Sequence, residues 1–498
     1  MTEQDRANQM KIPSIQKVPI GTGCTGLRKE SDSMGTVDVP AEHYWGAQTQ
    51  RSLVHFAIGS DRMPIEVCRA YGYVKKAAAL ANGAIGSMPG WKADLIAQVA
   101  DEVIAGKLDG EFPLSVWQTG SGTQTNMNVN EVISNRAIQL AGGKLGSKHP
   151  VHPNDDVNLG QSSNDTFPTA MHVATVLALD RHLMPAVSDL KNAIWAKARE
   201  WVDVVKIGRT HLQDATPLTV GQEWSGYAAQ LEDALALVRQ SIQGLYRLAI
   251  GGTAVGTGMN APVDFGERVT AKISQLLNHP FVSAPNKFAA LGSQHAMAAA
   301  SASLRALAIA LMKIANDLRW LGSGPRAGLH ELVLPSNEPG SSIMPGKVNP
   351  TQEEAMLMVC TQVIGEDTAV AFASSQGNLE LNTMRPMVIW NVLHCARIIG
   401  DACVQFRKYG IEGITLDRDQ IDRNVQNSLM LVTVLSPLVG YETAAKIAHL
   451  ALERNISLRE AAVGGGFISA EEFDSATDPR KMVGNPRRDL GMELDRRT

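Results

Sequence analysis

The sequence predicts a mainly α-helical protein organised around a central bundle of five long helices. Three observations predict it. Apolar residues recur at spacings of three and four along five long stretches, alanine-rich segments run from Glu66 to about Ala105, and runs with strand periodicity are few.

In chain order, residues 1–35 read as a disordered extension. Arg6, Lys11, Lys17, Arg28 and Lys29 give it a basic cast, while Glu3, Asp5 and two prolines argue against an amphipathic targeting helix. VDVPAEHYWGAQTQRS, from Val37 to Ser52, opens the folded part with Tyr44 and Trp45 as buried anchors. Segments such as YVKKAAALANGA then read as short helices, making residues 36–161 a mostly helical N-terminal domain. Within it, TGSGTQTNMNVNEV places a Gly/Ser/Thr turn before a helix that runs toward Leu140, offering Ser121, Thr123 and Asn126 to an anion. Such a turn by itself is more often a helix cap than a site. HPVHPNDDVNLGQSSNDTFPT, from His149 to Thr169, is too polar for a core, and its His and Asp spacing fits no standard metal pattern, so no metal is expected.

Residues 162–416 carry the long helices. Their apolar stripes run from Val176 through Leu190 to Val205, from Val220 to Leu245, from Met297 to Leu321, over about 350–375, and from Val388 to Phe406. A helix of thirty residues is about 45 Å long, and bundles of that length often bury their stripes between subunits. Between the first two lies GRTHLQDATPLT, a polar connection in which His211 reads either as a loop residue or as an acid–base group. GGTAVGTGMNAP, near Gly251 to Ala261, lacks GxGxxG and GxxxxGK spacing and reads as a loop. Residues 417–498 form a small helical C-terminal domain without evident chemistry.

The balance of 46 basic and 50 acidic side chains, a net charge of −4, calls for neither nucleic acid nor an anionic membrane. No apolar run reaches the roughly 18–20 residues that cross a bilayer. Five scattered cysteines, never in CxxC spacing, suggest no disulfide framework and a reducing, cytoplasmic setting.

The chemistry concentrates in EPGSSIMPGKVNP, Glu338 to Pro350. Its prolines and glycines make it a loop, with Gly340 and Gly346 as candidate hinges. Asn349, Pro350 and Gln352 read as the cap, first and third positions of a following helix, whose N-terminus attracts anions. Lys347 adds a full charge, and Ser341 and Ser342 add hydroxyls. An anionic substrate, most simply a carboxylate, fits this set; an ordinary Gly/Pro turn before a capped helix is the plainer alternative.

GSSIMPGKVNP closely resembles the signature loop of the fumarase/aspartase superfamily, whose members make or break a C–N or C–O bond beside a carboxylate and release or consume fumarate. GKVNPTQ is similar to the class II fumarases, and the resemblance covers roughly residues 36–480. It implies the three-domain superfamily fold, a homotetramer with a twenty-helix core and active sites shared between subunits, and a cytoplasmic enzyme of the tricarboxylic acid cycle. The implied activity is reversible hydration of fumarate to L-malate through a carbanion-like dianionic intermediate, with no cofactor. By resemblance, Ser341 takes the carbon proton, His211 serves the hydroxyl side, and Glu354 pairs with the histidine. Ser121, Gly122, Thr123, Ser162, Ser163, Asn164, Thr210, Ser342, Lys347, Val348 and Asn349 match substrate-binding positions. His152, Pro153, Asn154 and Asp155 match a secondary dicarboxylate site, with His149 where the family carries arginine just upstream. Aspartase-like relatives generally carry glutamine in place of His211; this histidine and the SSND segment at 162–165 disfavour the alternative of an aspartate ammonia-lyase. A catalytically silent relative is disfavoured because Ser341, Lys347, Asn349 and His211 are all present.

Overall fold

A computed structural model describes residues 13–492. It is mainly helical and divides into two compact units, the first comprising Met1–Leu183, Leu237–Arg305 and Gln362–Arg397, the second Met184–Ala236, Ala306–Thr361 and Ile398–Thr498. The division cuts through the long helices rather than following the chain.

In the first unit, strands β1 (Leu27–Asp32) and β2 (Gly35–Pro40) form an antiparallel hairpin, followed by helices α1 (Ala47–His55), α2 (Ile65–Ile85), α3 (Gly90–Ile104) and α4 (Thr123–Leu140). Where the sequence reading extends a disordered segment to residue 35, the described chain is already held. Arg136 donates to the carbonyls of Pro19 and Val18, and Tyr44, buried as expected, accepts from the Gly21 N–H. Helix α5 (Ser163–Ala178) opens with a capping box, in which the Ser162 hydroxyl accepts from the first turn and Asp165 reaches back to the Ser162 N–H. It continues through a wider π turn, Leu179–Leu183, into α6 (Met184–Glu200). Pro185 accounts for the wider turn, because it lacks an N–H and its ring crowds the carbonyl of Arg181 four residues earlier.

The expected first stripe therefore ends at Glu200, and Val205 starts a strand instead. In the second unit, β3 (Val205–Thr210) and β4 (Gln213–Thr219) pair with Thr210 opposite Gln213, so the polar connection is a β-hairpin. Further along the chain come α7 (Val220–Leu245), α8 (Phe265–Leu277), α9 (His295–Leu321), α10 (Thr351–Ser374) and α11 (Arg385–Gln405); α8 belongs to the first unit, and the residues of the other four, all long, are divided between the two. Helix α9 is about 40 Å long at 1.5 Å per residue. Helices α12 (Arg418–Asn427), α13 (Tyr441–Arg454), α14 (Leu458–Gly464) and α15 (Ala470–Ala476) bring Val425, Ile447, Leu458, Ala461 and Phe473 into one core that also buries Ile207 of β3. The C-terminal helices thus support the hairpin that carries His211.

One expectation is corrected. His295–Leu321, Thr351–Ser374 and Arg385–Gly413 are each long and apolar enough to cross a membrane by length and composition. Single polar residues such as Ser301 and Ser303 interrupt the apolar runs without lowering the average. Several polar residues of these helices are buried and paired: Asp367 accepts from Ser301 at 2.7 Å and pairs with Arg305 at 2.9 Å, and Glu366 meets His394 at 2.7 Å. Such pairing is what helices packed on other helices require.

Candidate active site

In the first unit, two of the candidate segments come together. Gly122 occupies the cap of α4 in the left-handed region, φ 79°, and no side chain caps the helix. The Ser121 and Thr123 hydroxyls instead bond each other at 2.8 Å. A Cβ on Gly122 would lie 2.1 Å from the Phe167 ring, and one on Gly120 would lie 1.5 Å from the Thr383 carbonyl oxygen, so glycine is required at both. Asn126, fully buried one turn into α4, donates to the Ser163 Oγ at 3.0 Å and ties this turn to the Ser162–Asn164 segment.

Asp165 holds that segment from beneath. Its carboxylate accepts the N–H groups of Ser162 (3.0 Å), Gly251 (3.0 Å) and Thr253 (2.9 Å), while Asn164 Nδ2 donates to the Ala254 carbonyl at 2.8 Å. The glycine-rich stretch is thus the wall behind Ser162–Asn164. Burial pushes the Asp165 carboxyl up to about 6 against the pull of the three N–H groups. Arg385, fully buried at the start of α11, donates to the carbonyls of Asn164 at 2.8 Å and Leu291 at 2.6 Å. Nothing in the sequence singles out Asp165 or Arg385; a buried charge in a capping box or at a helix start looks like ordinary surface chemistry until the packing is known.

His152 lies elsewhere in the same unit. Its Nδ1 accepts the N–H groups of Asn154 and Asp155, both at 3.1 Å, capping the turn Pro153–Val157. His152, Pro153 and Asn154 line a cavity of about 220 Å³ together with Lys148, Glu30 and Glu131. Asp155 is exposed. Among the described residues, no group of three or more His, Cys, Asp or Glu side chains is placed to hold a metal.

In the second unit, His211 and Leu212 form the two-residue tip of the β3–β4 hairpin, with φ of 58° and 59°. Positive φ at both positions is the mark of a type I′ turn, which normally uses Asn-Gly. A histidine and a leucine there store strain, and strained residues gather where function demands a particular placement. His211 is exposed, as is Thr210 beside it. The hairpin base is anchored by buried charge: Glu331 meets Lys206 at 2.9 Å and Arg209 at 2.7 Å, and accepts from Asn424 at 2.9 Å.

The loop 338–350 is fastened at its base. The Gly340 N–H donates to the Lys347 carbonyl at 2.9 Å, and Asn349 Nδ2 donates to the Gly340 carbonyl at 2.6 Å. A Cβ on Gly340 would sit 2.3 Å from the Lys347 oxygen, so Gly340 serves close approach, whereas Gly346, with φ 82° and open space around it, forms the turn. The expected helix start shifts: α10 begins at Thr351, and the Pro350 carbonyl accepts from Glu354, putting Pro350 at the cap. Asn349 uses one side-chain N–H to close the loop instead of capping the helix. Ser341 Oγ accepts the N–H groups of Ile343 (3.2 Å) and Met344 (3.1 Å). Ser342, Lys347 and Val348 are exposed on the loop. Glu354 faces Arg319 at 3.9 Å, and no hydrogen bond joins it to His211 among the described residues.

Comparison with known proteins bears on this arrangement. Residues 35–365 match the lyase family model and residues 431–484 the fumarase C C-terminus model. The chain is similar to the class II fumarate hydratase of Methanosarcina acetivorans, 75% identical with 96% of this chain and 99% of the relative covered. It is similar to that of Thermosynechococcus vestitus at 58%, covering 92% and 98%. Its fold is similar to the crystal structure of class II fumarase from Schistosoma mansoni, with a TM-score of 0.90 and 43% identity over 92% of this chain and 99% of the other. The chain belongs to the class II fumarate hydratases of the lyase family.

Proposed function

We propose that the chain adds water reversibly to fumarate to give L-malate by acid–base catalysis, with Ser341 and His211 as the working pair. The hydro-lyase activity is that of its family. Dehydration must remove a proton from a carbon beside a carboxylate, a very weak acid, and leaves a carbanion-like dianion. Ser341 is the base for that proton: the two N–H groups aimed at its Oγ favour the alkoxide. His211 gives a proton to the departing hydroxyl, or takes one from the attacking water. Lys347, the cap of α10, Ser342, Val348 and Asn349 of the loop, and the hydroxyls of Thr123, Ser163 and Thr210 with Ser121, Gly122, Ser162 and Asn164, hold the carboxylates and the developing charge. No electron or hydride moves, so the reaction needs no cofactor.

Each site in this reading is completed by segments from more than one subunit of a homotetramer, where Glu354 of one chain pairs with His211 of another. Exposed apolar side chains on the long helices support self-association, among them Ile309, Trp320, Met358 and Phe372. His152, Pro153, Asn154 and Asp155 beside their cavity form the secondary dicarboxylate site. Free cysteines, four of them buried, accord with a cytoplasmic setting.

The observation that carries the hydratase reading is the strained presentation of His211 at the hairpin tip. Its test is His211→Asn, since asparagine tolerates positive φ. Fumarate hydration should fall by roughly 10²–10⁴-fold with the melting temperature unchanged; normal activity would remove His211 from the mechanism.

A further inference from the structure

Beneath Ser162–Asn164 lies a cation that the mechanism above does not use. Lys75 of α2 is fully buried, yet its ammonium is held by amides rather than by a carboxylate: Nζ donates to Asn158 Oδ1 at 2.9 Å and to Gln161 Oε1 at 3.0 Å. The charged and titratable groups around it are Asp165, already committed to three N–H groups, and Tyr71, whose ring centre is 5.6 Å from Nζ; Arg385 lies toward both of these. Burial pushes the Lys75 ammonium down to about 7. A lysine kept dry with no opposite charge in contact among the described residues weakens the fold, and such costs concentrate at working sites.

Lysine's contribution here is its donors, so both amide oxygens must turn toward it. Asn158 is thereby fixed with Nδ2 donating to the Gln161 carbonyl at 3.2 Å and Oδ1 also accepting from Asn126 Nδ2 at 3.2 Å. Asn126 Nδ2 donates in turn to Ser163 Oγ at 3.0 Å. A hydroxyl that accepts on its protein side is left to point its own hydrogen outward. We infer that Lys75 is a positioning residue for the hydration reaction: acting through Asn158 and Asn126, it commits the Ser163 hydroxyl to donating a hydrogen bond to a carboxylate of the substrate. This rests on Ser163 being a substrate contact.

The test is a double-mutant cycle read as KM and kcat for fumarate, using Lys75→Met, Ser163→Ala and the pair. Ser163→Ala should raise KM about tenfold, Lys75→Met should raise it comparably with kcat within about threefold, and the double variant should be no worse than Ser163→Ala alone. Asn158→Ala breaks the next link, should reproduce the Lys75→Met effect, and carries the test if the methionine variant does not fold. If Ser163→Ala raises KM while Lys75→Met and Asn158→Ala leave it unchanged, or if the two effects multiply, the positioning role is overturned. If Ser163→Ala itself leaves KM unchanged, the reading of Ser163 as a substrate contact falls, and the role of Lys75 with it.

Discussion

Replacing Glu331 by glutamine should loosen the hairpin that presents His211, and the structure sets the size of the effect. Glu331 is buried against Lys206 and Arg209. Losing one partner of a buried charge pair costs about 3–5 kcal/mol, because the other charge is left uncompensated. Lys206 keeps Glu223 at 2.8 Å, and glutamine retains an oxygen for Asn424, so the lower end, about 3 kcal/mol, is expected. Over the 498-residue chain, at about 2.1 cal/mol/K of unfolding entropy per residue, that is a melting shift of about 3 °C at fixed protein concentration. The sign with pH follows from the carboxyl. Burial pushes Glu331 up, but Lys206 and Arg209 more than offset it, so its folded value lies below the ordinary 4.5. Its contribution is therefore present above that value and is lost as pH falls through the folded one. The gap between wild type and Glu331→Gln, measured by thermal unfolding at several pH values, should be full at pH 7 and shrink on acidification. A gap below about 1 kcal/mol at pH 7, or one that grows in acid, would refute the reasoning.

Other outcomes follow from the same geometry. Gly340→Ala forces a methyl onto the Lys347 carbonyl and should lower kcat about tenfold or more by displacing Ser341 and Lys347, with little change in melting temperature. Gly346→Ala meets only backbone strain, about 1 kcal/mol, and should be the milder of the two in the same kinetic assay. Asp165→Asn turns an NH₂ toward at least one of three backbone N–H donors; a loss of about 1–3 kcal/mol by denaturant unfolding and a raised KM for fumarate are expected.

Much of the helical scaffold is legible because an apolar stripe at helical spacing dictates a buried face: the stripe from Val220 to Leu245 coincides with α7, and that from Met297 to Leu321 falls within α9. The loop 338–350 is legible from its glycines and prolines. The hairpin at Val205–Thr219 is not, since its turn is His-Leu where a turn signal would be Asn-Gly, and its strands are short and polar. Asn349 reads as a cap by residue preference, but the close approach of Gly340 gives its amide another partner. Lys75 and Lys76 are indistinguishable in sequence. Adjacent helical residues differ by about 100° in direction, so Lys76 reaches Asp101 at the surface while Lys75 turns inward.

The most direct measurement is the ultraviolet absorbance of fumarate formed when the purified, chelator-treated protein is given L-malate or L-aspartate in separate cuvettes, with His211→Asn alongside. Absorbance should rise with L-malate alone, and that rise should be nearly abolished in the variant. A rise with L-aspartate alone, or an unimpaired variant on L-malate, would contradict that expectation.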